Sequence, residues 1–234
     1  MNIKYFLILF ASIQLLITGC KKDTGNSDPS LVKDVDGNSY KTVVIGTQTW
    51  MAENLKTTKY NDGTLIPYLT DSALWQNTTN GAVCCYNNDE SKVKTYGRLY
   101  NWYAVNTEKL APKGWHIPSN NEWKTLKTYL IDNGYGYGGS GERIAKAMAS
   151  TSCWGSYDGN GFIGYNRLDN NTSGFNGLPG GGRSYNGSFF SIGEKANWWC
   201  SNDIITYELA YYYSILLSSG NSKTSGYSVR CIKD

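Results

Sequence analysis

The chain carries one imidazole, His116, so any Ser–His or Cys–His nucleophilic device must use that residue. A zinc site needs a cluster of His or Cys ligands, and neither CxxC nor HExxH spacing occurs, so neither a metal nor another cofactor is expected. Carboxylate pairs are not settled by spacing. Asp89, Glu90, Glu122 and Glu142 stand out, Glu122 already has a capping role, and nothing singles out a glycosidase pair. The run Pro179, Gly180, Gly181, Gly182, Arg183 lacks the Gly-Lys-Ser/Thr ending of a phosphate loop. The oxygen-rich stretch 158–171 could offer calcium its ligands, yet the EF-hand spacing is broken and turn chemistry accounts for its Asp and Asn residues.

What remains is recognition without catalysis. The chain has 19 Tyr, 8 Trp and 26 Gly, a mixture with Asn, Ser and Thr that suits adaptable binding surfaces, although most of these rings should fill core. Aromatic rings stack on the apolar faces of sugars while Asn, Asp and Arg bond the hydroxyls. The residues assigned to ligand binding on this ground lie in the loop-rich C-terminal half: Tyr185, Trp198, Asn202, Asp203 and Tyr212, with core as the competing reading of Trp198. The formal net charge of +3, with no basic run beyond Lys21 and Lys22, leaves nucleic acid no electrostatic footprint.

Cys20 has a chemistry of its own. Lys4 is the only charge before it, residues 5–17 are apolar apart from Ser12 and Gln14, and Ile17, Thr18 and Gly19 lead into the cysteine. The apolar core falls short of the ~20 residues of a membrane-spanning helix and ends in small residues. The stretch resembles a bacterial lipobox, whose thiol is acylated. Residues 1–19 are therefore read as a lipoprotein signal peptide and 20–33 as a flexible tether from the lipid, with the domain over 34–234. The expected location is the cell envelope on a membrane anchor. Lys21, where an inner-membrane retention signal would place Asp, points to the outer membrane. Export permits disulfides among Cys84, Cys85, Cys153, Cys200 and Cys231, but connectivity is not readable from sequence. The pairing preferred is Cys153 with Cys200, both flanked by Trp, with Cys231 free or joined to Cys84 or Cys85.

These residues need elements to hold them. A turn at Asp36, Gly37 and Asn38 precedes a strand over 40–45, and Gly46 and Thr47 return it as a hairpin arm over 48–52. Helices are predicted over 97–105, from Ser119 to about Asn133, and over 142–149. The second has a capping box, Ser119 with Glu122, and an apolar face of Trp123, Leu126 and Leu130. After Ser150 short strands are expected among long loops, at 161–163, 174–178, 198–200, 209–217 and 227–232. Over 210–217, Tyr211, Tyr213, Ile215 and Leu217 should face the core, with Tyr212 and Ser214 nearer to solvent. The class is α+β.

Five segments, 36–63, 96–106, 111–123, 174–187 and 226–234, together resemble the Fibrobacter succinogenes major paralogous domain, in the right order from about Asp34 onward. That resemblance implies a C-type-lectin-like fold: an N-terminal hairpin and two to three helices, then a loop-rich antiparallel β region. It also implies that His116 packs a sheet–helix junction and that the glycine run is a tight backbone crossing. The family is common in lipoproteins of Gram-negative envelopes. Two departures put any family disulfide pattern in doubt: Leu110 and Ala111 stand where relatives often have a Cys, and Cys200 stands where they often have Ser. The function expected is recognition of an extracellular ligand, foremost glycan. The rivals are a structural or adhesion module on an envelope protein and, last, an oxidase like the formylglycine-generating enzymes of related fold. For the last, the spacing and flanks of Cys200 and Cys231 do not match that enzyme's motif.

Overall fold

The computed structural model describes residues 31–139 and 141–234. The segments expected as signal peptide and tether lie outside the described residues up to residue 30, Cys20 included. The first strand, β1 (Leu31–Lys33), pairs antiparallel with β2 (Ser39–Ile45), so the described part of the segment expected as tether, residues 31–33, is a sheet strand. Asp34 closes the link between them: its carboxylate accepts from the backbone N–H of Asp36 and Asn38, the Asn38 amide and the Tyr40 hydroxyl.

The chain continues through β3 (Gln48–Met51), α1 (Ser72–Asn77), β4 (Val83–Cys84), α2 (Val93–Tyr96), β5 (Leu99–Tyr100) and α3 (Trp102–Val105). Next come β6 (Trp115–His116), α4 (Asn120–Asp132) and α5 (Ala145–Met148). The last part holds β7 (Gly180–Arg183), β8 (Phe189–Ile192), β9 (Lys195–Trp199), β10 (Ile205–Ala210), β11 (Leu217–Gly220) and β12 (Ile232–Lys233). The result is a mixed α+β structure with several sheets and few, mostly short, helices. One five-stranded sheet runs β1-β2-β3-β12-β6, a second runs β11-β10-β9-β7-β8, and β4 pairs with β5. The second sheet is not wholly antiparallel, because β7 and β9 run parallel through Gly181 and Ala196.

Local chemistry explains most of these elements. The Ser119 hydroxyl accepts from the Glu122 N–H at 3.3 Å, and the Glu122 carboxylate accepts from the Ser119 N–H at 2.7 Å. Both halves of the capping box are therefore present, and Trp123, Leu126 and Leu130 form the buried face of α4 as their spacing predicts. The helix expected over 97–105 is instead a strand followed by one helical turn. Asn101 divides them: its side chain accepts from Ala82 N–H and Ala104 N–H, tying β5's end to the neighbouring segment and capping α3.

Adjacent residues on β9 serve different cores, as a period of two requires. Trp198 joins Ile45, Trp50, Trp123, Phe175 and Tyr207, while Trp199 joins Tyr40, Met51, Tyr100, Tyr227 and Val229. The rings of the first group interlock, with Trp123 stacked on Tyr207 at 4.8 Å between centroids and Trp50 tilted against Trp123 at 4.9 Å. The glycine run is the strand β7. A Cβ on Gly181, at φ +64°, would stand 2.4 Å from Phe190 O, so close backbone crossing rather than phosphate binding accounts for it.

The single strand expected around 210–217 is a hairpin loop. β10 stops at Ala210, and the carbonyls of Tyr211 and Tyr213 accept from Gly164 and Ile163. Leu216 is the buried residue there, while Tyr211, Tyr213, Ile215 and Leu217 are half-buried. Pairing with a distant loop has overridden the alternation of the sequence. Of the other expected strands, 161–163 is turn, and 174–178 keeps only a bridge between Ala149 and Gly177. Among the described residues no helix is long and apolar enough to cross a membrane.

Candidate functional site

A shallow groove of about 660 Å³ opens where three segments meet: the β7–β8 connection, the outer ends of β10 and β11, and the stretch leading to Tyr227. Tyr185, Phe190 and Tyr227 give it aromatic walls, and Ser184, Asn221 and Ser222 give it a polar rim. Tyr185 is 57% exposed and presents its ring to solvent. Phe190 meets Tyr227 edge-on at 6.2 Å, and Trp199 backs Tyr227 from the core at 5.1 Å.

The rim is fixed rather than loose. Tyr227 Oη donates to Asn221 Oδ1 at 2.7 Å, and Asn221 Nδ2 donates to Thr206 Oγ1 at 2.7 Å. The Asn221 N–H also reaches Ile204 O at 2.9 Å. Burial raises the Tyr227 phenol above its ordinary range, so at neutral pH it remains a hydrogen-bond donor. Such a site can stack rings against an apolar face and bond hydroxyls along one edge. It has no carboxylate, imidazole or thiol in its lining with which to break a bond.

Of the residues assigned to binding from sequence, Tyr185 alone lines this groove. Trp198 is fully buried and donates its indole N–H to Asn54 Oδ1 at 2.8 Å, so it is core and not ligand surface. Asn202 and Asp203 form the β9–β10 turn just before Ile204. They do not line the groove, and Asn202 Oδ1 accepts from Asn120 N–H at the start of α4. Tyr212 lies past the far end of β10, about 20 Å of strand away. There it packs with Tyr211, Tyr213 and Tyr157. Phe190, Asn221 and Tyr227 were missed. The polar run before Gly226-Tyr227 was the available signal, but only the long-range bridge between Arg183 and Gly226 brings it to Tyr185.

The five cysteines from Cys84 onward are free thiols, so the preferred Cys153–Cys200 bridge is not formed. Cys153 is exposed on a backbone at φ +70°, whereas Cys200 is fully buried. Burial pushes the Cys84 and Cys200 thiols up to about 12 and Cys231 higher still, which keeps them as unreactive thiols. One thiol, Cys153, is therefore expected to react with Ellman's reagent in the native domain, and all five after unfolding. A count of three after unfolding without reductant would reveal a bridge.

His116, on β6, is bonded to two carboxylates, with Nε2 at 2.7 Å from Glu122 on α4 and Nδ1 at 2.7 Å from Asp234 just after β12. Neither ring nitrogen is left for a nucleophile, and the described residues contain no cluster able to hold a metal. Burial alone would lower the His116 pKa, but the bonds to Asp234 and Glu122 outweigh it and raise the value above 6.5. Glu122 is held below 4.5, its own burial being outweighed by bonds from Ser119 and His116. The imidazolium therefore stabilises the fold below pH ~6.5, and that contribution disappears as pH rises through the raised value. Glu122 contributes above ~4.5 and loses its part as pH falls through its lowered value. His116→Gln is expected to cost about 1 kcal/mol at pH 6 and clearly less at pH 9, the sum being small because the side chains are partly exposed. Thermal melts of both chains across pH 5–9 check the slope.

Comparison with curated proteins and with solved structures finds no match. The sequence profile of the Fibrobacter succinogenes major domain, in contrast, matches residues 43–233, from within β2 into β12, and the chain belongs to that family.

Proposed function

We propose that this chain is a lipid-anchored envelope protein whose domain, of C-type-lectin-like arrangement, recognises glycan without catalysis. The observation that carries the reading is the groove between Tyr185, Phe190 and Tyr227 with its Asn221 and serine rim. Rings supply apolar contact to the faces of sugars, and the rim supplies paired donors and acceptors for hydroxyls. The lectin-like arrangement draws support from the hairpin β2–β3 and the pairing of β12 between β3 and β6. Weak single contacts would suit a membrane tether at Cys20, since many copies on one surface raise avidity. The outer membrane remains the location argued from Lys21.

One observation favours an envelope protein as the partner instead. Tyr157, Phe162, Tyr211, Tyr212 and Tyr213 form a continuous, partly exposed run of rings with neighbouring centroids 4.6–5.8 Å apart. Such a patch suits protein contact. An oxidase of the formylglycine-generating type has no such support, because Cys200 and Cys231 are buried.

A glycan array probed with the soluble domain separates these readings. Selective binding is expected, with Tyr185→Ala weakening it on the order of 10–30-fold, the cost of a central aromatic anchor. Tyr212→Ala should leave it unchanged. A folded domain that binds no glycan refutes the proposal and turns attention to the tyrosine patch.

A further inference from the structure

A second cavity, of about 370 Å³, lies between the segment that follows α4, the helix α5 and residues 169–172. It shares no lining residue with the groove. Tyr135 and Tyr137 wall it, and Asn133, Lys146, Asp169 and Thr172 supply its polar groups.

Lys146 is the unusual member. It is only 5% exposed, yet no carboxylate forms an ion pair with it among the described residues. Its ammonium donates to the carbonyls of Tyr165 and Asn166. An ammonium has three N–H donors, so one remains without an acceptor among the described residues. The Asp169 carboxylate takes one bond, on Oδ2, from the Asn166 amide. The opposite charges at the cleft, Lys146 and Asp169, disfavour a simple anion and a simple cation alike. A neutral ring carrying adjacent hydroxyls can accept from the first and donate to the second, with its apolar face on a tyrosine.

Size narrows the choice. The volume lies near the lower end of the ~300–1,000 Å³ typical of small-ligand sites. It suits one ring, whereas the larger, shallower groove suits an extended stretch. We infer that this cleft is a separate binding site for one neutral sugar ring, at the end of a glycan chain, held by Lys146, Asp169 and Tyr137. The ligand class rests on the glycan reading above, but the site does not depend on the groove. Burial holds the Lys146 pKa below the ordinary lysine value, with Asp169 acting against it. An under-solvated ammonium gains from an added acceptor.

The test is a calorimetric titration of the full-length chain, in detergent, with neutral methyl pyranosides. The chains compared are the parent, Tyr185→Ala for the groove, and Asp169→Asn and Tyr137→Ala for the cleft. Lys146 is left intact because its bonds also hold the 165–166 backbone. Thermal melts confirm that each variant folds. At least one pyranoside is expected to bind the parent, to bind Tyr185→Ala within twofold of it, and to bind both cleft variants at least tenfold more weakly. Binding lost in Tyr185→Ala but kept in both cleft variants overturns this site and leaves the groove reading standing. Polysaccharide binding with no response to any pyranoside overturns it in the same way. No binding of any glycan by folded parent overturns both.

Discussion

Trp198→Ala is expected to lower the melting temperature by roughly 10–15 °C, rather than yield a normally folded domain that has lost its ligand. The side chain is fully buried, 5.5 Å from Phe175 and 5.9 Å from Trp123 between ring centroids. Truncating a core Trp to Ala costs about 3–5 kcal/mol, because lost transfer energy adds to the cavity left behind. Against a total stability of about 5–15 kcal/mol, that is a large share. Trp198→Phe keeps a ring but removes the donor to Asn54 Oδ1. It should cost less, since Arg230 Nη2 also donates to that oxygen, at 2.9 Å. Calorimetric melts of the three chains, read beside the glycan array, decide the point. An unchanged melt with lost binding would place Trp198 at the ligand and contradict the packing described above.

What could be read from the sequence follows the reach of each signal. The α4 start was legible because its capping box lies within four residues and its apolar face within one helical stripe. The β2–β3 hairpin was legible for the same reason: Gly46 and Thr47 turn two adjacent runs. The α1 helix was not, since its six residues bury only Trp75 and its Asp71 cap has no periodic pattern behind it. The 97–105 segment misled because Leu99, Trp102 and Tyr103 have helical spacing, while the Asn101 side chain also bonds to Asn80 and Ala82 outside that window. The groove fell between these cases. Tyr185 was readable as a ring in the loop-rich half, but Phe190 and Asn221 become its neighbours only through the β7–β8 and β10–β11 hairpins, and Tyr227 only through the bridge of Gly226 to Arg183. Tyr212 and Trp198 had the right residue type. Their positions depended on where β10 ends and on which face of β9 meets α4.

Arg230→Ala should be destabilising to a similar degree, about 3–5 kcal/mol, for a different reason. Arg230 is fully buried with no carboxylate in ion-pair contact among the described residues. Its charge is met by dipoles and rings. Nη1 donates to Phe175 O and Nη2 to Asn54 Oδ1, while the guanidinium carbon stands 4.3 Å from the Phe175 centroid and 5.4 Å from that of Trp198. The side chain thus fastens the 175–176 backbone to the aromatic core and to Asn54. Two opposed terms set the cost of removing it. Deleting a buried cation relieves its desolvation, yet it strands the Phe175 carbonyl and opens a cavity between two rings. Arg230→Met separates them: Met refills the space and relieves the desolvation, leaving mainly the stranded carbonyl at about 1–3 kcal/mol. Arg230→Lys keeps the charge but not the planar fork, so it should fall nearer to Ala than to Met. Urea unfolding of the four chains gives the ranking. If Met proves as damaging as Ala, the bonds to Phe175 and Asn54 rather than the packed volume hold this joint, and the ring contacts of Arg230 contribute little.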